Sequence, residues 1–152
     1  MNFNNFTIKS QEAVQQAIQL VQNRGQQAIE PEHLLAGVLK VGENVTNFIF
    51  QKLGMNGQQV AMVLDRQISS FPKVSGGEPY LSRGANEVLQ KAVEYSKGLG
   101  DEYVSLEAML LAILNVNSTA STILKDAGMN DKDLRTAINE LRQGQNVTSQ
   151  SS

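Results

Sequence analysis

Apolar residues recur every three to four positions along most of this chain, which is the spacing of one face of an α-helix. Each apolar stripe follows a residue that suits a helix start and most end at or near a glycine. Read this way, the chain divides into eight helical segments, and no segment alternates as a half-buried strand would. The residues predicted to begin seven of them are Thr7, Pro31, Asn56, Ser82, Ser105, Ser118 and Asn130. The pattern predicts an all-α fold.

The pattern also occurs twice. Residues 7–46 match residues 82–121 without a gap, at a fixed separation of 75 positions. After a one-residue deletion in the second copy, residues 54–56 and 128–130 both read Gly-Met-Asn. A duplicated helical unit rarely buries its apolar face alone. We therefore predict eight helices arranged as two pseudo-symmetric four-helix repeats, packed into one globular domain with a seam between the copies.

Two segments lack helical periodicity. Residues 71–80 contain two prolines and two glycines and are interpreted as a linker between repeat one (6–70) and repeat two (81–143). Residues 144–152 are mostly Gln, Asn, Ser and Thr. Their low apolar content predicts a flexible, disordered tail that leads toward further modules. The folded domain is expected to span residues 1–143.

Composition narrows the classes of function. The 152 residues are 41% hydrophobic, enough for a packed core, and the net charge of −2 with no basic block argues against nucleic-acid binding. Cysteine is absent, so disulfides and thiolate chemistry are excluded. The N-terminus does not resemble a signal peptide, and no stretch approaches the ~18 apolar residues of a membrane span. We expect a cytoplasmic domain without membrane contact.

Several motifs resemble the Clp amino-terminal domain, which heads the AAA+ unfoldases. They are Phe6-Thr7 at a first helix, Ile-Glu-Pro-Glu-His-Leu-Leu at residues 29–35 at a second, and the repeat of both. The resemblance covers roughly residues 3–143, and the linker from Pro72 to Gly77 looks most like the ClpB branch of protein disaggregases. In the second copy, Glu-Ala-Met-Leu at 107–110 replaces the Glu-His-Leu-Leu of the first.

The resemblance implies a mobile accessory domain on a hexameric ring. Such a domain recruits unfolded or aggregated polypeptide through an apolar groove and passes it to an ATP-driven pore. The full-length protein would carry ATP and magnesium, a coiled coil and a stress-response role beside an Hsp70-type chaperone system. This chain contains no Gly-x-x-x-x-Gly-Lys-Ser/Thr loop. We therefore expect a monomeric binding domain with no cofactor of its own, not an enzyme.

The resemblance also implies binding residues. Thr7, Asp101 and Glu107 would form a polar rim beside the groove, and Tyr95 and Ala108 would line it. Each has a simpler interpretation as well. Thr7 can be a helix cap, and Glu107 a first-turn carboxylate that the helix dipole favours. Asp101 can be a turn residue, and Tyr95 a half-exposed boundary residue.

Two other functions stay open at this point. The first is docking of a folded adaptor, as in the ClpA and ClpC branches that feed a protease; its sign would be a partner surface away from the seam. The second is a small enzyme using Asp101 and Glu107, although no nucleophile motif accompanies them. His33 is the only histidine and cysteine is absent, so a zinc site is not expected. We expect the His33 side chain to have a structural role.

Overall fold

The computed structural model describes residues 2–152 and, over this range, contains eight α-helices and two strands of two residues each. The prediction of an all-α, eight-helix fold is confirmed. The elements, in chain order, are α1 (Ile8–Asn23), β1 (Ala28–Ile29), α2 (Pro31–Val41), α3 (Glu43–Lys52), α4 (Gly57–Ser69), β2 (Tyr80–Leu81), α5 (Arg83–Gly98), α6 (Leu106–Asn115), α7 (Thr119–Asp126) and α8 (Asp131–Arg142).

The predicted helix starts are confirmed and repeat between the two halves. Thr7 Oγ1 accepts a hydrogen bond from Ser10 N at 3.1 Å, and Ser82 Oγ accepts from Ala85 N at 3.0 Å. Each of these helices is 16 residues long. In each copy a side-chain hydroxyl accepts from an N–H that has no partner inside the helix. A residue with a hydroxyl group is therefore found at the same place in both copies.

The two repeats also exchange short backbone pairs. Phe6, two residues before α1, bridges Val104 in repeat two, while Leu81, two residues before α5, pairs with Ile29 in repeat one. Thr7 N donates to Val104 O at 3.0 Å, and Ser82 N donates to Ile29 O at 3.0 Å. Strands of two residues are too short to leave a periodic pattern, which is why the sequence predicted none. This reciprocal exchange fixes the start of each repeat against the other.

Helix α6 is the centre of the core and packs against α1, α2, α5, α7 and α8. Eight of its ten residues are buried, because it is apolar on all sides. Its counterpart α2 buries Leu34, Leu35 and Val38 completely. At the seam a Cβ on Gly42 would lie 2.6 Å from Leu106 Cδ1, so the chain approaches α6 closely there. The two repeats are therefore packed tightly against each other at this point of their junction.

Candidate functional site

A groove of about 510 Å³ lies at the junction of the repeats, between the end of α2 and the start of α3 on one side and α6 and α8 on the other. The tail forms a further wall. The apolar side chains of the groove are Val41, Val45, Leu106, Leu141 and Val147, and the polar and charged ones at its border include Thr7, Lys9, Glu107 and Arg142. The seam between the repeats therefore carries an apolar surface with a polar border.

Thr7 sits at the border because it begins α1. Its hydroxyl accepts from Ser10 N and donates to Ser10 Oγ at 2.8 Å, and the residue is only 2% exposed. The capping interpretation therefore holds for this side chain. Its backbone also joins the repeats through the bond to Val104 O. Thr7 fixes the position of the first turn of α1 beside the groove.

Asp101 and Glu107 converge on one cation, Arg142, the last residue of α8. Arg142 Nη1 donates to Asp101 Oδ1 at 2.9 Å, and its Nε donates to Glu107 Oε1 at 3.1 Å. Its Nη2 donates to the N-cap hydroxyl of α6, Ser105 Oγ, at 2.9 Å. One guanidinium thus ties the end of α8 to the loop before α6 and to its first turn.

This ion-pair network is nearly dry. The side chains of Arg142, Asp101 and Glu107 are 9%, 0% and 12% exposed. Burial alone would lower the pKa of Arg142, but the hydrogen bond that Arg142 donates to Asp101 and the charge of Glu107 outweigh it and raise the pKa above its ordinary value. Arg142 therefore stays charged, and removing it would leave two carboxylates without their counter-ion.

Asp101 Oδ1 accepts a second hydrogen bond, from Val147 N at 3.0 Å. Its other oxygen, Oδ2, is buried and has no partner among residues 2–152. An ionised carboxylate oxygen is a strong acceptor for a backbone N–H. Asp101 is therefore both an ion-pair residue and a contact for an extended chain segment.

The tail is in contact with the body, although its composition predicted disorder. Glu102 N donates to Val147 O and Ile8 N donates to Gln150 O, both at 2.8 Å. Val147, the one aliphatic residue in this stretch, is 8% exposed. The physical reason for the difference is that backbone groups make these bonds, and composition carries no information about them.

Tyr95 and Ala108 lie away from the lining of the groove. Tyr95 is half-buried on α5, and the guanidinium carbon of Arg135 on α8 lies 5.4 Å from its ring centre. Ala108 is fully buried in the first turn of α6. The structure thus brings Thr7, Asp101 and Glu107 to one region and separates Tyr95 from them, and it leaves Ala108 beneath the surface.

His33 is buried in a polar network of repeat one. Its Nδ1 accepts from Glu30 N at 2.9 Å, so its Nε2 carries the proton and donates to Gln26 Oε1 at 2.7 Å. Burial lowers the pKa of His33 to about 4, and the charge of Arg24 contributes. The side chain is therefore neutral near pH 7, as its structural interpretation requires.

Among residues 2–152, no three His, Asp or Glu side chains are grouped so that they could hold a metal ion. No single helix in this range is long and apolar enough to cross a membrane; α6 and α7 reach that length and hydropathy only together, as a pair bent by 96°.

Sequence reasoning missed Arg142 and Val147. The signals were present but weak: Arg142 ends a helix, where a cation suits the dipole, and Val147 is an isolated aliphatic residue in a polar tail. Neither the ion-pair partners nor the docking position could be read from spacing, because Arg142 lies 41 positions from Asp101.

The sequence and the fold of this chain are similar to those of several known proteins. Over all 152 residues the chain is 78% identical to the chaperone protein ClpB of Bacteroides thetaiotaomicron, and it covers 18% of that protein's length. The Hsp104 N-terminal domain of Candida albicans has a TM-score of 0.85 at 23% identity, covering 97% of both chains. A ClpV N-domain in complex with a VipB peptide has a TM-score of 0.72 at 20% identity, covering 90% of this chain and 86% of that one.

The two structural likenesses establish the fold alone, because the sequences of both neighbours are less than 25% identical to this chain. The family assignment rests on a direct match to the Clp repeat (R) N-terminal domain over residues 5–127. The matched range includes the whole of repeat one, the linker and the first three helices of repeat two. The chain therefore belongs to the Clp repeat (R) N-terminal domain family.

Proposed function

We propose that this chain recruits unfolded or aggregated polypeptide for an ATP-dependent protein disaggregase, binding it in the groove between the repeats. The observation that carries this proposal is the groove itself: apolar side chains from both repeats, bordered by Thr7, Glu107 and Arg142. Unfolded chains differ from folded ones in exposing apolar side chains together with unpaired backbone groups. The groove offers apolar side chains to the first and hydrogen-bonding groups at its border to the second.

The size of the groove argues for weak binding. A cavity of about 510 Å³ accommodates a few side chains at a time. A disordered client also loses conformational entropy when it is ordered, which offsets much of the apolar gain. Weak, sequence-tolerant capture suits a domain whose task is to hold a client briefly and pass it on.

Two comparisons support the proposal from outside the chain. A ClpV N-domain of the same fold forms a complex with a VipB peptide, and the relative that is 78% identical is the chaperone protein ClpB. The chain spans 18% of that relative's length. The ATPase activity with magnesium, the hexameric ring, cooperation with an Hsp70-type system and the cytoplasmic location accordingly belong to the proposal for the full-length protein.

The test is a pair of apolar-to-Asp substitutions at accessible sites. Val45 is half-buried at the groove, whereas Met62 on α4 is 53% exposed and lies outside its lining. We expect Val45→Asp to weaken the binding of a fluorescent, unstructured peptide of Val, Leu and Ser about tenfold, which corresponds to about 1.4 kcal/mol of binding free energy. Met62→Asp should leave the affinity for the peptide unchanged. Fluorescence anisotropy measures both. Equal affinity for both variants would contradict the proposal.

An adaptor-docking function remains the second candidate because repeat one has its own apolar surface. Leu20, Ala36, Leu39 and Ala61 line a cavity of about 270 Å³ that shares no lining residue with the groove. A folded adaptor binding there would be unaffected by Val45→Asp. If peptide binding instead fell on Ala61→Asp, this second function would be favoured.

A further inference from the structure

The tail from Val147 to Gln150 runs along the body beside the groove, irregular at Val147 and Thr148 and turning from Ser149 onward. Backbone groups hold it, together with the Gln150 side chain, whose Nε2 donates to Asn4 O at 2.7 Å. Val147 O accepts from Glu102 N and Gln150 O accepts from Ile8 N, each at 2.8 Å, and Val147 N donates to Asp101 Oδ1 at 3.0 Å. One side chain, Val147, is buried between these bonds at 8% exposure. The neighbouring Thr148 and Ser149 are exposed.

The three groups on the body are suited to any extended chain. Ile8 N and Glu102 N are main-chain donors, and Asp101 Oδ1 is an acceptor for a main-chain N–H. Ile8 N lies in the first turn of α1, where no partner exists inside the helix. Contacts to backbone groups give affinity without reading sequence, while a single pocket for an apolar side chain gives a modest preference.

The internal symmetry explains why the tail comes to this place. In repeat one, the linker after α4 crosses the turn that ends α1, where Val74 N donates to Gly25 O at 2.9 Å. The linker then continues into β2, which pairs with β1. After α8 the tail crosses the corresponding turn, but Phe6 already pairs with Val104 there. The tail is therefore diverted along the start of α1, toward the groove.

We propose that residues 146–150 are a built-in strap that occupies the backbone-binding positions of an extended client, so that a client must displace the strap. This inference rests on the proposed function and names its binding mode: an extended segment with a small aliphatic residue at the Val147 position. The apparent affinity for a client is then lower than the intrinsic affinity by the fraction of molecules in which the strap is released.

The test uses the 152-residue chain with one substitution in the strap. Val147→Asp places a carboxylate in a buried position beside Asp101 and releases the strap. Thr148→Asp adds the same charge one residue later on an exposed side chain, and it is the matched control. We expect Val147→Asp to bind the fluorescent Val/Leu/Ser peptide about tenfold more tightly than the wild type, as a strap docked nine-tenths of the time implies. Thr148→Asp should bind it as the wild type does.

Backbone NMR relaxation of residues 145–150 supplies a second readout. The amides should be rigid in the wild type and Thr148→Asp and mobile in Val147→Asp. A strap that is already mobile in the wild type would overturn the inference. Equal peptide affinities in all three chains would also overturn it, provided that relaxation shows the strap to be released in Val147→Asp. If peptide binds in every chain with one affinity, only the strap is refuted. If no chain binds peptide, the proposed function fails with it.

Discussion

Gln26 and Asp101 occupy equivalent positions, 75 residues apart, and each fastens the end of the fourth helix of its own repeat. Gln26 Nε2 donates to Ile68 O at 2.7 Å, whereas Asp101 Oδ1 accepts from Arg142 Nη1 at 2.9 Å. Repeat one uses a neutral network that includes His33, and repeat two uses an ion-pair network. The duplicated fold has thus diverged at one structural position into an uncharged side and a charged side.

The same divergence accounts for Ala108, which stands where repeat one has His33. In repeat one the imidazole fills the space at the start of α2 and bonds to Gln26. In repeat two the Arg142 guanidinium reaches the corresponding helix start and bonds to Ser105. A small residue at 108 is compatible with that arrangement, so the departure of Glu-Ala-Met-Leu from Glu-His-Leu-Leu has a structural reason.

The buried ion-pair network predicts a large asymmetry between two arginines of α8. Arg142→Ala should destabilise the domain by about 3–5 kcal/mol, because it leaves the buried Asp101 carboxylate without its counter-ion. Arg135→Ala removes a pair with Asp131 in which both side chains are over 40% exposed, and should cost at most about 1 kcal/mol. Urea unfolding followed by circular dichroism measures both. Similar losses in the two variants would show that the network is not buried in solution.

His33 predicts a pH dependence of stability with a definite sign. Its pKa is about 4 in the folded chain, against 6.5 when exposed, so between these values the unfolded chain binds more protons. Stability should therefore be complete above pH 6.5 and fall by up to about 3 kcal/mol as the pH drops to 4.

Another group titrates in the opposite sense. Burial raises the pKa of Glu32, with the hydrogen bond from Ala120 opposing, so its protonation favours the folded state as the pH falls. The measurement is therefore a difference between chains. His33→Asn removes the only imidazole, and its unfolding free energy should decline less than that of the wild type between pH 6.5 and 4. Parallel pH profiles for the two chains would contradict the assignment.

Glu32 joins the repeats by a single bond: Oε2 accepts from Ala120 N, at the start of α7, at 2.8 Å. Glu32→Ala leaves that buried N–H unpaired and should cost about 1–3 kcal/mol. Glu32→Gln keeps an acceptor in place and should retain most of the stability. Thermal unfolding of both variants distinguishes a hydrogen bond from a charge effect; equal losses would indicate that the charge matters instead.

Helices α1 and α2 approach each other closely at Gly37. A Cβ there would lie 2.1 Å from Ala13 O, a backbone atom that cannot move alone. Gly37→Ala should destabilise by about 1–3 kcal/mol through overpacking, despite the better helix propensity of alanine. At Gly98, the last residue of α5, an added Cβ would have no atom of the described residues beyond its chain neighbours within 4 Å, so Gly98→Ala should be neutral or slightly stabilising. A neutral Gly37→Ala would mean that the two helices can separate without cost.

The fold could be predicted from the sequence because the signals that begin each helix depend only on residues close together in the chain. Thr7 and Ser82 cap their helices through atoms three residues away, and the repeat follows from comparing the chain with itself. The groove was predicted as a seam but not in its details. Arg142 meets Asp101 only through the packing of α8, and Val147 docks through backbone bonds that leave no trace in sequence. Tyr95 and Ala108 came from resemblance, and the structure places neither on the groove surface.

Binding of extended polypeptide at the junction of the repeats can be located by paramagnetic broadening of the backbone amide signals, with a spin-labelled Val/Leu/Ser peptide added in excess. We expect the strongest broadening at Ile8, Val45 and Glu102, around the groove. Broadening centred on Leu20 and Ala61, the separate apolar surface of repeat one, with the groove amides unchanged, would contradict it.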